Sequence, residues 1–545
     1  MRIKELKMIK INYFFIVNAT KSVNKMLIML NMLEFFNNVC YNTNVKREYR
    51  IYIKSKGYIM DWIKGQGQAF LNDMKRMFTS PTPTDIVNMI ATGLTTLFAI
   101  MAFHFIIFAI VGIFKKKTYP HTNEKLRYGI IIPARNEEAV VGNLIESIRK
   151  NNYPQDKIDI FVIAHNCKDN TADVARAMGA IVYEYNNPEE NTMGYAFRYL
   201  FDRIKEDYGI ESYDGYFLFN ADNIVDANYF DKMNDAYVAM GKKHTITSFR
   251  NSKNFGSNVI SALYGLHFMY GCRYECRGRT VVGCSTRIQG TGYVISPELV
   301  KNGWKYVTLT EDWEFSTDQV IAGQKIYYCD EAVFYDEQPT NFRIMWRQKV
   351  RWCRGHFLVF FTRIKDIIKA QFKSKKKGGC PNKGSLHDIS INILPLGFLA
   401  TLVTFLQIVA LITIAVIEGC TAGVITNFPE AMRVIGIIMG NFGRNFVIGF
   451  LTSYLTLLPP TILIYILERK RIKNVSFLVK LASLLAWPIF FVVFATIQDV
   501  QAVFSRKLGW KEIPHGDTTN FSDLNQENSE NLSSEESAVE MVESK

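Results

Sequence analysis

Tyr128-Gly129-Ile130-Ile131-Ile132-Pro133-Ala134-Arg135-Asn136-Glu137 is the stretch that decides the fold of this chain. A compact apolar run is ended by Pro133 and followed at once by polar residues. Glu137 to Lys150 then changes period, with Val140, Val141, Leu144, Ile145 and Ile148 on one helical face. The unit repeats downstream. Ile158 to Ala164 reads as a second strand, and Thr171 to Met178 as a helix that Asp169 or Asn170 could cap. Ala180 to Tyr185 is a third strand, Tyr195 to Lys205 a third helix and Gly215 to Asn220 a fourth strand. Such alternation predicts an α/β domain with a mainly parallel sheet covered on both faces. In these sheets ligands bind beyond the carboxyl ends of the strands, where the strand order reverses.

Polar residues gather at those ends. Ala134, Arg135, Asn136 and Glu137 follow the first strand, His165, Asn166, Cys167, Lys168 and Asp169 the second, and Ala221, Asp222 and Asn223 the fourth. One such set alone is ordinary loop and capping chemistry. Three on one edge predict a nucleotide-shaped cleft. No GxGxxG follows a strand and no GxxxxGK[ST] occurs, so neither a dinucleotide site nor a P-loop is supported. Asp222 is the sharpest of these residues, because a departing nucleoside diphosphate needs a hard divalent cation, and carboxylate oxygen holds such cations. A turn-forming role with Asn223 stays open for it, and Asp226 reads as a turn or capping residue.

The rest of the 545 residues cannot share one core. The 48% apolar content concentrates in Ile86 to Phe114, Ile391 to Ile417, Phe446 to Leu467 and Leu478 to Ile497. These exceed or approach the roughly 20 residues that a bilayer requires, so the chain reads as an integral, multi-pass membrane protein. The net charge of +13 fits that reading. Lys115-Lys116-Lys117 and Glu468-Arg469-Lys470-Arg471-Ile472-Lys473 flank the spans as cytoplasmic clusters do, and no arginine-rich or zinc-finger pattern points to nucleic acid. Nine cysteines lack paired CxxC spacing, which favours reduced thiols over a metal centre.

A segment around Met432 to Met439 could add an extra or re-entrant crossing and balance the topology. The first 60 residues carry 11 basic and 3 acidic residues with no spanning run, and the working protein is expected to start at Met60. The domain plan is therefore an extension over 1–84, partly disordered, a span over 85–117, a cytoplasmic catalytic domain over 118–340, amphipathic interfacial helices over 341–375, about three spans over 376–510 and an acidic disordered tail over 511–545.

Two further motifs lie between the spans. Gln289-Gly290-Thr291-Gly292-Tyr293 precedes a strand-like run; its glycines allow close backbone approach, and a plain turn explains them equally well. Thr310-Glu311-Asp312-Trp313-Glu314 opens a helix reaching Ala322. Acidic residues are common in a first helical turn. A carboxylate here could also take the proton that an attacking sugar hydroxyl must lose, and one base with an assisted leaving group inverts the anomeric centre. Phe342 to Phe372 is amphipathic and suits an interfacial helix. Within it Trp352 offers a flat face to a sugar ring, while Gln348 and Arg351 offer donors.

With Thr310-Glu311-Asp312 and Gln348-x-x-Arg351-Trp352 at this separation, the chain resembles the membrane-embedded inverting glycosyltransferases of family 2, related to cellulose, hyaluronan and poly-N-acetylglucosamine synthases. The resemblance implies an α/β glycosyltransferase-A (nucleotide-diphospho-sugar transferase) domain plus transmembrane α-helices. It implies Asp312, with Glu311 beside it, as catalytic base and Asp222 as ligand of Mg2+ or Mn2+. Gln348, Arg351 and Trp352 would hold donor and acceptor, with Asn136, Glu137 and Asn166 around the nucleoside. Its partners would be a nucleotide sugar, taken as UDP-linked, a glycan or lipid-linked acceptor, the bilayer, and in a polymer-exporting version an export subunit.

Three positions depart from that pattern. His165 stands where an Asp often contacts uracil, Asn220 replaces the first Asp of Asp-x-Asp, and Met193 stands where a Lys often precedes Gly-Tyr-Ala. Two rivals follow: transfer of one sugar to polyprenyl phosphate or diacylglycerol, and an inactive nucleotide-binding membrane scaffold.

Overall fold

The structure is a computed structural model that describes residues 76, 79–373, 380–505, 515, 517 and 519–522. The expected start at Met60, and most of the tail expected from 511, lie outside the described residues. The chain divides into two compact units, Met1–Ile86 and Val87–Lys545. In the described part of the first, Arg76 grips Asp85 (Nη1 to Oδ2, 2.8 Å) ahead of a helix opening at Pro83.

The second unit contains an eight-stranded mixed sheet in the order β3-β2-β1-β4-β7-β6-β8-β5. Its strands are β1 (Tyr128–Ala134), β2 (Ile158–His165), β3 (Ile181–Tyr185), β4 (Gly215–Leu218), β5 (Ile224–Val225), β6 (Thr245–Ser252), β7 (Tyr293–Ile295) and β8 (Ile326–Asp336). The four strands read from sequence form the parallel group, with Tyr128 opposite both Ile158 and Gly215. Beyond them β7 is antiparallel to β4 and β6, while β8 runs parallel to β6. A three-residue strand such as β7 is too short to show alternation, so its direction left no trace in the sequence.

Successive residues of β1 feed opposite cores. Ile130 and Ile132 pack with Leu144, Ile148 and Phe230 on one face. Ile131 packs with Leu200, Phe201 and Trp304 on the other. All three isoleucines are fully buried, which is why β1 reads as one unbroken apolar run. Each such side chain contributes roughly 1.5–3 kcal/mol of transfer free energy.

Among the described residues, four helices are long and apolar enough to cross a membrane: Pro83–Phe114, Leu396–Thr421, Phe428–Leu467 and Phe477–Phe504. Many of their large apolar side chains stand uncovered, as at Ile100, Phe405 and Phe446. Two sequence expectations are corrected here. Ile391 belongs to a separate helix, Lys383–Ile393, because Pro395 disfavours helical backbone at Leu394; the following helix begins at Leu396. The region Met432 to Met439 is no re-entrant segment but part of one continuous 40-residue helix. Phe342–Phe372 is likewise a single helix of 31 residues rather than several.

The end of the 40-residue helix is keyed to β8 and to the helical segment 271–281 by buried charge. Arg277 donates to both oxygens of Asp330 on β8 (2.7 and 2.6 Å). Arg471, just past the 40-residue helix, donates to the Asp330 carbonyl (2.9 Å), and Arg273 pairs with Glu468 (2.7 Å). Removing one partner of such a buried pair strands a charge, so these contacts hold the parts in register.

The tail expectation also needs correction where it can be read. Phe521 is buried against Ile224, with Ala227 and Tyr335 beside it, so this part of residues 511–545 is ordered. One aromatic anchor in a strand-edge pocket supplies apolar burial that the polar composition concealed.

Candidate active site

The parallel strands deliver their polar ends to one edge, and the loops there adopt unusual backbone. Asn136 and Asn166, just past β1 and β2, have φ of 55° and 54°, in the left-handed region that Asn tolerates. Their side chains brace loops. Asn136 Oδ1 accepts from the Lys168 amide (2.7 Å), and Asn166 bonds both amide and carbonyl of Asn187 (2.7 and 2.9 Å). Both side chains thus support the loops that border the two cavities. Glu137 lines the first of these.

Two adjoining cavities occupy the edge. The first, about 180 Å³, is lined by Glu137, His165, Asp222, Glu337 and His515 among others. The second, about 350 Å³, is lined by Glu311, Asp312, Trp313, His267 and His356 among others. Asn220, Arg250, Gln348, Arg351 and Trp352 line both. Asp222 and Asp312, ninety residues apart in sequence, thus face one continuous cleft.

Asp222 is set by a buried network. Asn223 donates from Nδ2 to Asp222 Oδ1 (3.1 Å) and to Asp336 Oδ1 (2.9 Å), and Arg250 Nε donates to Asp336 Oδ2 (2.7 Å). Burial, with the Asp336 charge nearby, pushes the Asp222 carboxyl up to about 6. His515 Nδ1 lies 3.4 Å from Asp222 Oδ2 and 3.6 Å from Glu337, with Nε2 3.7 Å from Glu137. Burial alone would lower this imidazole, but Asp222, Glu337 and Glu137 prevail and raise it to about 10.

The donor set suits a hard cation. Asn220 Oδ1 is buried with no hydrogen-bond partner among the described residues, and Asp222 lines the same cavity. No cluster of three or more His, Cys, Asp or Glu with metal-holding geometry occurs among the described residues. A cation here would therefore rely on one carboxylate and on ligand phosphate oxygens, the usual arrangement for Mg2+.

At the other end, Glu311 and Asp312 open the Glu311–Ile321 helix. Arg351 donates to the Leu309 carbonyl (2.8 Å) and so fixes the turn leading into them. Gly355 lets the Phe342–Phe372 helix press on this turn, since a Cβ there would fall 2.3 Å from the Thr310 methyl. Burial raises both carboxyls; Glu311 is pushed further, to about 8, by the Asp312 charge beside it, while Arg351 and Arg250 favour ionised Asp312. With both carboxyls raised by burial and side by side, the pair carries one negative charge more readily than two.

Aromatic faces line the same cavity. Trp352 stacks with His267 at 6.4 Å and 21°, and Trp313 meets His356 at 4.3 Å. Gln348 Oε1 is buried without a hydrogen-bond partner among the described residues, at the seam of the two cavities.

His165 has both ring nitrogens engaged. Arg135 donates to Nδ1 (3.2 Å), which leaves Nε2–H to donate to the Glu190 carbonyl (2.7 Å). Burial and Arg135 push it down to about 4, so it is neutral. Sequence reasoning missed Arg250, Asp336, Glu337 and His515. The first three obey the strand-end rule, but β6 and β8 were not recognised as strands; nothing local marked His515.

The sheet topology, with its cleft at the carboxyl ends and a helix-borne carboxylate at one side, is that of a glycosyltransferase-A domain. Residues 126–355 match the family model described as glycosyltransferase like family 2, and this region is a glycosyltransferase family 2 domain. A probable glycosyltransferase of Bacillus subtilis is 22% identical over 258 residues, covering 46% of this chain and 59% of that protein. The poly-β-1,6-N-acetyl-D-glucosamine synthase of Staphylococcus epidermidis is 21% identical over 253 residues, covering 44% and 57%. The match therefore spans somewhat more than half the length of these curated relatives. Among solved structures, a mannosyltransferase of Pyrobaculum calidifontis in complex with GDP-Man and Mn2+ is 13% identical with a TM-score of 0.47, covering 76% of this chain and 99% of that one.

Proposed function

We propose that this chain is an inverting glycosyltransferase that moves a sugar from a nucleotide-sugar donor, a UDP-sugar, to a growing glycan at a membrane. The observation that carries the reading is the shared wall: Asp222 and Asp312 face adjoining cavities joined by Asn220, Arg250, Gln348, Arg351 and Trp352. A donor lying across that wall puts its diphosphate near Asp222 and its anomeric carbon within reach of an acceptor beside Asp312.

The reaction is one displacement. Ionised Asp312 accepts the proton of the attacking hydroxyl as that oxygen bonds to the anomeric carbon. The bond from that carbon to the β-phosphate oxygen breaks, and its electron pair leaves with the diphosphate. Asp222 and Asn220 are the oxygen donors that would hold a divalent cation, Mg2+ or Mn2+, which when bound neutralises the departing charge. Arg250 and Arg351 add fixed positive charge along the same wall. Glu311, protonated, keeps a second negative charge away from the base.

A glycan acceptor is favoured over a bare lipid phosphate by the aromatic side chains Trp313, Trp352 and Phe491 in the second cavity, since flat apolar rings suit sugar faces. The name of the staphylococcal relative supports the same direction. The four membrane-length helices and the basic clusters support a multi-pass protein with its catalytic domain in the cytoplasm. A separate export subunit belongs only to a polymer-threading version of this reading. The test is nucleotide release from purified chain over a panel of UDP- and GDP-sugars. Release from one donor, abolished by Asp312→Asn, is the expected result; release undiminished in that variant rejects the assigned base.

A further inference from the structure

The connection between Phe428–Leu467 and Phe477–Phe504 carries more positive charge than the fold neutralises. From Glu468 to Lys480 there are five cations, Arg469, Lys470, Arg471, Lys473 and Lys480, and one carboxylate. That carboxylate, Glu468, is already engaged by Arg273 (2.7 Å) and Arg471 (3.0 Å). Arg469 and Lys480 have no ion pair and no side-chain hydrogen bond among the described residues.

Those two cations share one apolar groove. It measures about 280 Å³ and lies between the end of the 40-residue helix and the start of Phe477–Phe504, with Ile462, Ile466, Phe477 and Leu481 along it. Phe477 is 75% exposed and Ile466 56%, so the groove is open on its outer side. Tyr465 also lines it, and a hydrogen bond to Ser483 (2.6 Å between oxygens) joins the two helices there. The Tyr465 ring meets Phe255 of the catalytic domain edge to face at 6.4 Å. The groove lies on the catalytic side of the helices, because neighbouring Arg471 donates to the Asp330 carbonyl on β8 (2.9 Å). Water solvates a free cation well and an apolar trough badly. A ligand that suits both is an amphiphile with an acidic head.

We propose that this groove is a binding site for an anionic glycerophospholipid, with an acyl chain along Ile462, Ile466 and Leu481 and the phosphate between Arg469 and Lys480. This rests on the membrane reading above and not on the transfer chemistry. Arg469 supplies a planar fork that matches two phosphate oxygens, and Lys480 a compact point charge. A zwitterionic lipid offers the same phosphate but brings its own ammonium group. Two unpaired protein cations therefore favour the headgroup with net negative charge. Through Tyr465 and then Phe255, the seated lipid backs the chain leaving β6, the strand that carries Arg250 into the cleft.

The test uses the full chain in detergent, mixed with equal amounts of phosphatidylglycerol and phosphatidylcholine of the same chain length. Native mass spectrometry counts the first lipid retained. Phosphatidylglycerol is expected to lead by at least about five-fold, the factor given by one cation near an acidic headgroup. Arg469→Gln and Lys480→Gln should each cost about five-fold in its retention. Both side chains lack partners in the fold, so these variants leave it intact. Leu481→Trp fills the groove while keeping both cations, and it should also lose the first phosphatidylglycerol. Retention in Leu481→Trp would mean diffuse surface attraction and overturn the groove. Equal retention of the two lipids by the wild type would overturn the site and leave the membrane reading standing. Undecaprenyl phosphate displacing phosphatidylglycerol at equal concentration would assign the groove to a lipid-linked acceptor and overturn the proposed occupant. A chain released from membranes by alkaline carbonate without detergent would defeat the membrane reading itself, and the site with it.

Discussion

The two ends of the cleft hold acidic groups in opposite ways. Near Asp222 four carboxylates, with Asp336, Glu337 and Glu137, stand among the cationic side chains of Arg250, Lys253 and His515. Near Asp312 two carboxyls from consecutive residues are buried with Arg351 close by, and one of them keeps its proton. The first end gathers opposite charges around a buried carboxylate. The second is arranged to take a single proton. Burial raises the carboxyl at both ends; what differs is the company, cationic side chains around Asp222 and a second carboxyl beside Asp312.

That contrast can be broken most severely at the proton-accepting end. Asp312→Asn should lower kcat by about 10³-fold, measured as nucleotide release, while leaving Mn2+-dependent nucleotide binding intact. If binding falls with kcat, the two ends are not separate in function. Asp222→Asn should have the converse signature. About 10²-fold of activity should disappear together with the divalent-cation dependence, and calorimetric nucleotide binding should lose its response to Mn2+.

A smaller effect is expected at the turn carrying the base. Gly355→Ala places a Cβ 2.3 Å from the Thr310 methyl. Overpacking of this kind costs about 1–3 kcal/mol, readable as a lowered Tm, and a displaced turn should cost roughly tenfold in kcat. Glu311→Gln should do least. Because Glu311 stays protonated up to about pH 8, the neutral amide copies it, and the two pH profiles should separate only above that value. Below it kcat should change by no more than about twofold. In both proteins activity should fall with acid as Asp312 takes up a proton, at a pH above the ordinary aspartate value of 3.8. A limb that moves in Glu311→Gln would show that Glu311, not Asp312, takes the proton.

Legibility from sequence followed the apolar continuity of each strand rather than its length. β1, β2, β3 and β4 were visible because buried parallel strands are unbroken apolar runs between turn residues, and their polar ends pointed to the cleft. β6 and β8 are long strands, yet their polar and aromatic mixture (Thr-Ile-Thr-Ser-Phe-Arg and Ile-Tyr-Tyr-Cys-Asp) shows no clear period. With them went Arg250, Asp336 and Glu337. Asn136 and Asn166 show what a strand-end position leaves open. Their position at strand ends is right for ligand contact, but left-handed backbone turns their amides onto neighbouring loops. The break between Ile393 and Leu396 was written in Pro395, whereas the unbroken course of Phe428–Leu467 through Pro459 and Pro460 was not.

Local chemistry carried in the chain itself therefore specified the α/β alternation, the apolar lengths sufficient for a bilayer, the carboxylates Asp222, Glu311 and Asp312, and the Gln348, Arg351 and Trp352 cluster. These are properties of short windows, where periodicity and residue type act alone. Only the tertiary structure decided which of them meet. Arg351 reaches back to Leu309, Asn223 ties Asp222 to Asp336, and His515 arrives from beyond the last long helix. Contacts between residues so far apart depend on how whole layers pack, and side-chain type at either end does not encode that distance.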